Sequence, residues 1–246
     1  MYNSSYSFNF FALAIFICCW AGYTFFAKKR AKTDDCIARC LHQHRIHWMY
    51  ELMERDLRMG DAALLANLER NIAFFASTTL LVLAGVLTLF SQVEKLEQVI
   101  TTIPFAEFPD HNMIQIKLFV LVIIFVMAFF HFTWSMRQYG FLNVMIGAAP
   151  YSKKGPEKAY QEYARQMATV QDQAAHSYNY GLRAYYFSMA AVLWFFHPLL
   201  LIFVSLSVVY TLFNREFRSK AVKAITAGQT ILNEDRLKKN TVTLNE

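Results

Sequence analysis

Four long apolar stretches alternate with charged segments along this chain. They cover residues 8–27, 72–90, 114–134 and 184–213. A helix needs about 20 apolar residues to cross the hydrocarbon core of a bilayer, and each stretch is close to or above that length. Backbone groups in hydrocarbon must be hydrogen-bonded within their own segment, so these stretches are expected to be helices. The pattern predicts an all-α, polytopic membrane protein with three clear spans and a fourth apolar region.

The fourth stretch is too long for one simple crossing. About 30 helical residues extend roughly 45 Å, against a hydrocarbon core of about 30 Å. His197 and Pro198 lie near its middle, and proline breaks or kinks a helix unless it occupies the first helical position. We favour a hairpin with arms over residues 179–196 and 199–217. A single long, kinked span is the alternative.

Two further stretches, residues 45–71 and 157–178, show the spacing of amphipathic helices outside the bilayer. Apolar side chains recur in them every three or four positions. The first continues into the second apolar stretch without a proline, so it predicts one long helix that enters the membrane. The second begins after Gly155 and Pro156. We therefore expect one helical membrane domain over residues 1–226, followed by a polar, flexible tail over residues 227–246.

The placement of basic residues predicts the orientation of the spans. Lys28, Lys29 and Arg30 follow the first span at once, whereas the connection over residues 91–113 has Lys95 as its only Lys or Arg. Basic residues collect on the cytoplasmic side of a membrane. They recur after the third and fourth stretches, at Arg137, Lys153, Lys154, Lys158, Arg165, Arg215 and Arg218. We expect a multi-pass protein of the bacterial inner (plasma) membrane, with its N-terminus outside and its C-terminus cytoplasmic.

The composition changes this interpretation little. The chain has 24 Lys and Arg against 18 Asp and Glu, an excess that suits contact with anionic lipids. No basic and aromatic module accompanies it, so nucleic acid is not an expected partner. The lipid bilayer is the expected partner. Protein partners are not indicated by the sequence, and an oligomer of this chain is compatible with it.

A short internal similarity has two interpretations. Residues 61–75 resemble residues 173–187 when one inserted residue is allowed, and Trp20 and Trp134 occupy comparable places in the preceding spans. Parallel repeats occur in membrane transporters. Chance similarity between two helices rich in alanine and aromatic residues is the alternative.

Several stretches together resemble a known family. They are DAALLANLERN at 61–71, FFASTT at 74–79, FTWSMRQYG at 132–140, GAAP at 147–150, GLRAYYF at 181–187, WFFHP at 194–198 and REFRS at 215–219. The chain resembles a family of bacterial and plant membrane proteins catalogued as domain of unknown function five-nine-nine. The resemblance implies a helical inner-membrane protein and supplies no activity, ligand or catalytic residue.

Cysteine and histidine side chains form the one pattern that suggests a metal. Cys36, Cys40, His44 and His47 fall on one stripe if their segment is helical, and thiolate and imidazole are common zinc ligands. The stripe extends about 16 Å along a helix, so a single helix supplies only a pair of ligands. Ordinary reduced thiols and surface histidines are the alternative. No cofactor is expected.

Polar side chains within or beside the spans are the better candidates for function, because ionisable groups at membrane depth are costly and usually face a bundle interior or a wet cavity. The candidates for a pore or polar intramembrane site are Ser77, Thr78, Thr79, His131, Asn179, Arg183 and His197. The hydroxyls have an alternative role, since Ser and Thr often bond to their own helix. For His197 the alternative is to cap the following helix.

A second polar group marks the point where the second span begins. It consists of Asp61, Asn67, Arg70 and Asn71. Asp61 and Arg70 are not spaced for an ion pair on one helix face, so we expect them to contact other helices. A cytoplasmic mouth and ordinary anchoring between helices are both compatible with this group.

The sequence lacks the signatures of an enzyme. It has no GxSxG elbow, phosphate-binding glycine loop, dinucleotide fingerprint or HExxH pair. The leading hypothesis is an oligomeric channel or small-solute transport protein. A non-enzymatic scaffold or regulatory protein, binding partners through its cytoplasmic helices, is the alternative. A metal-responsive protein is a third hypothesis.

Overall fold

A computed structural model describes residues 2–30, 36–102, 110–150 and 157–243. Within these ranges helices are the only regular secondary structure, which confirms the predicted all-α fold. The elements are α1 (Tyr2–Arg30), α2 (Ile37–Glu54), α3 (Met59–Phe90), α4 (Val93–Thr101), α5 (His111–Ala148), α6 (Glu157–Leu193), α7 (Pro198–Phe213), a π-helical turn (Asn214–Arg218) and α8 (Lys220–Thr243). Lys153, Lys154 and the predicted helix start at Gly155 and Pro156 lie outside the described residues.

Among the described residues, four helical segments are long and apolar enough to cross a membrane. They are Tyr6–Arg30, Met59–Phe90, His111–Ala148 and Pro198–Glu234. The first three contain the first three apolar stretches of the sequence, while the fourth begins in the middle of the last stretch. The prediction of a polytopic membrane protein is therefore confirmed by the length and composition of these helices.

The chain forms two compact units. The first comprises Met1–Phe25, Asn67–Arg137 and Ala174–Tyr210. The second comprises Phe26–Ala66, Gln138–Gln173 and Thr211–Glu246. Five helices, α1, α3, α5, α6 and α7, contribute residues to both units.

In the first unit α6 runs antiparallel to α5. Near one end of the pair, the Ser135 hydroxyl donates to the carbonyl oxygen of Ala174 at 2.7 Å. Near the other end, the Lys117 ammonium donates to the carbonyl oxygen of Trp194 at 2.8 Å. Residue numbers thus fall along α5 while they rise along α6. The C-terminal part of α6 therefore lies beside the apolar part of α5, although α6 itself is not among the four apolar segments.

Helix α1 also runs antiparallel to α6. The indole Nε1 of Trp194 donates to Asn9 Oδ1 at 2.8 Å, and the ring centroids of Phe16 and Phe187 are 5.7 Å apart. On the α3 side, the rings of Phe75 and Tyr178 are 5.9 Å apart. The C-terminal part of α6 thus contacts α1, α3 and α5, which explains how a helix rich in polar residues fits among apolar helices.

The break predicted at Pro198 is present. Helix α6 ends at Leu193, and Pro198 is the first residue of α7, where its missing N–H costs nothing. Trp194 lies beside Asn9 and Lys117, which are near the first residues of α1 and α5. Residues 198–210 belong to the same compact unit as these helix ends. Residues 198–210 of α7 therefore remain part of this unit, and the hairpin that crosses the membrane twice stays a prediction.

The turn at residues 194–197 has no polar linker, and its backbone groups are satisfied locally. The N–H groups of Phe195 and Phe196 donate to the carbonyl oxygens of Val192 and Leu193, each at 3.2 Å. Tightening the last turn in this way satisfies groups that a helix end otherwise leaves unpaired. An aromatic turn can therefore close the hairpin.

The single helix expected from residue 45 into the second span is interrupted. Helix α2 ends at Glu54, Arg55 adopts an extended conformation, and α3 begins at Met59. Asp61 explains the corner, because its carboxylate accepts hydrogen bonds from Trp48 Nε1 and Arg55 Nη1, both at 2.7 Å. Its position in the first turn of α3 also suits the positive end of that helix. The corner therefore replaces the predicted straight helix.

The stretch after residue 227 is helical as far as Thr243, where we expected a flexible tail. The start of α8 packs against α2 in the second unit: the Cys40 thiol lies 3.3 Å from the hydroxyl of Thr226, and His44 Nε2 lies 3.0 Å from the carbonyl oxygen of Ile225. The polar composition of residues 227–246 did not indicate these contacts, because they join α8 to α2, a part of the chain that is distant in sequence.

Arg58 ties the corner to the end of α5 within the second unit. Its guanidinium donates to the carbonyl oxygens of Ile146, Ala149 and Pro150 at 3.1, 2.9 and 3.2 Å. The last carbonyl groups of a helix lack partners inside the helix. Arg58 therefore caps the C-terminus of α5.

The hairpin makes a prediction about topology. A reporter fused to the C-terminus should lie on the cytoplasmic side, and a reporter inserted after His111 on the opposite side, because α6 and α7 together cross twice. Paired fusions to alkaline phosphatase and to a green fluorescent protein measure this directly. A single fourth crossing would place both reporters on the same side of the membrane.

Candidate functional site

A cationic and aromatic cluster lies within the first unit. The guanidinium carbon of Arg183 on α6 lies 5.2 Å from the ring centroid of Tyr23 on α1 and 5.6 Å from that of Tyr180. The imidazole of His131 on α5 lies 5.5 Å from the Tyr180 ring. A cation over an aromatic face is stabilised by the ring quadrupole, more so where water is partly excluded. Tyr23, His131, Tyr180 and Arg183 are called the Arg183 cluster below.

A glycine allows α5 to approach this part of α6 closely. A Cβ atom added at Gly181 would lie 2.5 Å from Cε1 of Phe132, a distance that real side chains do not tolerate. Tyr180 and Arg183 are three residues apart and therefore share a helix face. His131 directly precedes Phe132, so the same close approach places the imidazole beside Tyr180.

Thr79 connects α3 to α6 through its hydroxyl group. The side chain is fully buried, and its Oγ1 donates to the carbonyl oxygen of Phe75 at 2.6 Å while lying 2.8 Å from the hydroxyl of Tyr185. Each hydroxyl can both donate and accept. Ser77, Thr78 and Thr79 are the hydroxyl residues predicted in α3. Among the hydrogen bonds of the described residues, Thr79 is the one of the three that reaches another helix.

Lys117 is a buried cation that sequence reasoning missed. Its side chain is only 6% exposed, and its ammonium donates to the carbonyl oxygen of Trp194 and lies 5.3 Å from the centroid of a Trp194 ring. Trp194 in turn donates to Asn9, which is also buried. A lysine inside an apolar run was a signal available from the sequence, because charged residues within a span usually face other helices.

The other predicted intramembrane residues have separate places. Ser77 and Asn179 are exposed, and Thr78 is half-buried. The Nδ1 atom of His197 accepts a hydrogen bond from the N–H of Leu199 at 3.1 Å, so it caps the start of α7, as the alternative interpretation proposed. These residues do not join the Arg183 cluster.

The predicted mouth residues do not form one group around Asp61. The Asp61 carboxylate is only 1% exposed and binds Trp48 and Arg55 in the second unit. Asn67 and Arg70 are exposed residues of the first unit, and Asn67 Oδ1 accepts from Arg70 Nη1 at 3.3 Å. Asn71 is exposed as well. Asp61 therefore shapes the corner before α3, and the other three lie on the surface of α3.

The cysteine and histidine stripe is used for packing. Cys36 and Cys40 are buried, Cys40 and His44 contact α8 as described above, and His47 is half-buried. In the part of the chain that the structure describes, no group of three or more His, Cys, Asp and Glu side chains is arranged to hold a metal ion. The contacts of Cys40 and His44 support the interpretation of these residues as ordinary packing groups.

The fold and the cluster define a class: an all-α membrane protein in which a polar, aromatic helix lies among apolar helices. The family model described as "Protein of unknown function, DUF599" matches residues 11–221. The chain belongs to this family, which confirms the resemblance seen in its motifs. Neither a curated protein nor a solved structure matches the chain.

The Gly181 contact predicts a specific loss of stability. Gly181→Ala should lower the free energy of unfolding by about 1–3 kcal/mol, the usual effect of overpacking a close contact. Gly85→Ala on α3 is the matched control, because a Cβ atom there meets nothing within 4 Å and alanine favours a helix interior. Thermal unfolding of both variants in the same detergent measures the difference. Equal melting temperatures for the two variants would contradict the packing argument.

Proposed function

We propose that this protein is an oligomeric channel or transport protein for small anionic solutes. The position of Arg183 carries the proposal. Arginine at membrane depth is costly and is usually retained for a function, with its charge facing other helices or water. Here the guanidinium carbon lies 5.2 Å from the ring centroid of Tyr23 and 5.6 Å from that of Tyr180, in the unit that holds most of the apolar stretches.

The charges along the apolar segments support an anion. The stretches 8–27, 72–90, 114–134 and 184–213 contain Lys117 but no Asp or Glu, and Arg183 directly precedes the last of them. Arg183 is a residue of α6, and Lys117 binds the carbonyl oxygen of Trp194 directly after the end of that helix. A guanidinium presents several N–H donors in a fixed plane, which suits phosphate and carboxylate oxygens. The hydroxyl groups of Thr79 and Tyr185 add neutral donors in the same unit.

Exposed polar side chains on two helices of the first unit support an assembly of several copies. Ser77 on α3 and Asn179 on α6 are both exposed in a single chain. An amide or hydroxyl facing hydrocarbon without a hydrogen-bond partner is costly, and such groups often join transmembrane helices. Contacts with another copy, or with water in a shared pore, would satisfy them.

The proposal predicts an anion flux that depends on Arg183. Liposomes containing the purified protein should pass chloride, phosphate or a small carboxylate. Arg183→Gln should reduce the rate at least about tenfold, because the attraction between the guanidinium and an anion is worth more than about 1.4 kcal/mol where water is partly excluded. Arg183→Lys should keep part of the flux because it keeps the charge. Arg70→Gln removes an equal charge from an exposed position and is the control. Vesicles that stay tight to all three anions with the unchanged protein would refute the proposal.

A scaffold role is the second candidate, and an exposed apolar corner favours it. Leu57, between α2 and α3, and Met59, the first residue of α3, belong to the second unit and are 78% and 79% exposed. The two residues flank Arg58, whose side chain is held by the end of α5, so the corner presents them from a fixed backbone. Apolar side chains displayed together often mark a protein contact.

The scaffold role predicts capture of a partner through this corner. Crosslinking in cells should recover a partner in fixed proportion to this protein, and Leu57→Ser with Met59→Ser should abolish the recovery by removing the apolar contact. Ile231→Ser, at an apolar position of α8 that is 66% exposed, is the control. Recovery of copies of this chain alone would argue against a scaffold.

A further inference from the structure

An aromatic platform lies where α1 and α7 end, in the second unit. The rings of Phe213 and Phe217 stack with their centroids 5.3 Å apart. The ring of Phe26, near the end of α1, lies 6.2 Å from each of them. Phe26 is exposed, and the other two rings are half-buried. Three rings, one each from α1, α7 and the π-helical turn, thus form one partly open apolar surface, called the phenylalanine platform below.

The π-helical turn brings a cation onto this platform. In the turn Asn214–Arg218, the backbone takes more residues per turn than in an α-helix. Residues five apart therefore lie above one another, and the guanidinium carbon of Arg218 lies 5.2 Å from the ring centroid of Phe213. The chain leaves the helix at Ser219, whose Oγ accepts from the N–H of Val222 at 3.3 Å. This cap starts α8 and fixes the end of the turn.

A second cation comes from the other helix. The guanidinium carbon of Arg30, the last residue of α1, lies 5.5 Å from the ring centroid of Phe26. A guanidinium held over a ring uses its face for that contact, while its N–H groups point outward in the plane. The two guanidinium groups, each over a ring of the platform, supply N–H donors of the kind that binds phosphate oxygens.

The charge around the platform favours an anionic ligand. The segments 28–30 and 214–220 together hold six basic residues and one acid, Glu216. The basic residues are Lys28, Lys29, Arg30, Arg215, Arg218 and Lys220, and all six are exposed. Basic groups directly at the ends of membrane spans attract anionic lipids.

We propose that the phenylalanine platform, with Arg30 and Arg218, binds the headgroup phosphate of an anionic phospholipid. The platform lies where the apolar helices α1 and α7 end and the basic residues begin, which in a membrane protein is the level where headgroups meet the hydrocarbon. The lipid phosphate contacts the two guanidinium groups, and the beginning of its acyl chains covers the open ring faces. A soluble phosphate would use the cations but would leave the rings uncovered. The proposal is independent of the transport function, because it concerns a different unit and different residues.

Native mass spectrometry of the full-length protein in detergent tests the site. The unchanged protein should retain phosphatidylglycerol in preference to phosphatidylcholine. Each basic residue near an anionic membrane surface contributes about fivefold to binding, so Arg30→Gln with Arg218→Gln should weaken phosphatidylglycerol binding about 25-fold. The matched control is Lys158→Gln with Arg165→Gln, which removes the same charge from exposed positions on α6 of the same unit.

Two further variants separate the platform from diffuse charge. Phe217→Leu keeps every charge but removes one ring, and Arg218→Lys keeps the charge but removes the planar group; each should weaken phosphatidylglycerol binding severalfold. If the double arginine variant does not fold, these two variants test the proposal in its place. The melting temperature of the double variant in detergent reports whether it folds. Equal binding of the two lipids by the unchanged protein, or an equal loss in the control pair, would overturn the proposal. Displacement of phosphatidylglycerol by millimolar inorganic phosphate would likewise replace it with a soluble phosphate site.

Discussion

One close contact between α5 and α6 supports much of the first unit. The Phe132 ring fills the space that a side chain on Gly181 would occupy. The same ring lies 5.5 to 5.8 Å from those of Phe75, Tyr178 and Tyr185, so it joins α3 to the α5–α6 pair. Interiors of this kind transmit a change at one position to its neighbours, because they are close-packed and contain few voids. The aromatic rings packed around α6 leave its polar groups little room to move. This packing holds those groups in place among the apolar helices.

The apolar pattern was sufficient to predict α1, α3 and α5, and Pro198 was sufficient to predict the break before α7. The full length of α6 could not be predicted, because its polar residues resemble a surface helix until their contacts with other helices are known. The same lack of information about contacts limited the prediction of the site. Arg183 was predicted because its charge lies next to an apolar stretch, whereas Lys117, which lies within an apolar stretch, was not predicted. The corner at Asp61 and the packing of α8 at Thr226 depend on partners 6 to 186 residues away. Local periodicity does not contain that information.

The capping of α5 by Arg58 has a mechanical consequence. Arg58 directly precedes α3, and it donates to the carbonyl oxygen of Ile146 in the last turn of the 38-residue α5 and to those of Ala149 and Pro150 just after it. One side chain therefore couples the start of one long helix to the end of another in the second unit. A rotation of α3 about its own axis would pull on the end of α5, or it would have to break three hydrogen bonds at once. Motions of α3 and α5 are thus linked at this end by the hydrogen bonds of Arg58.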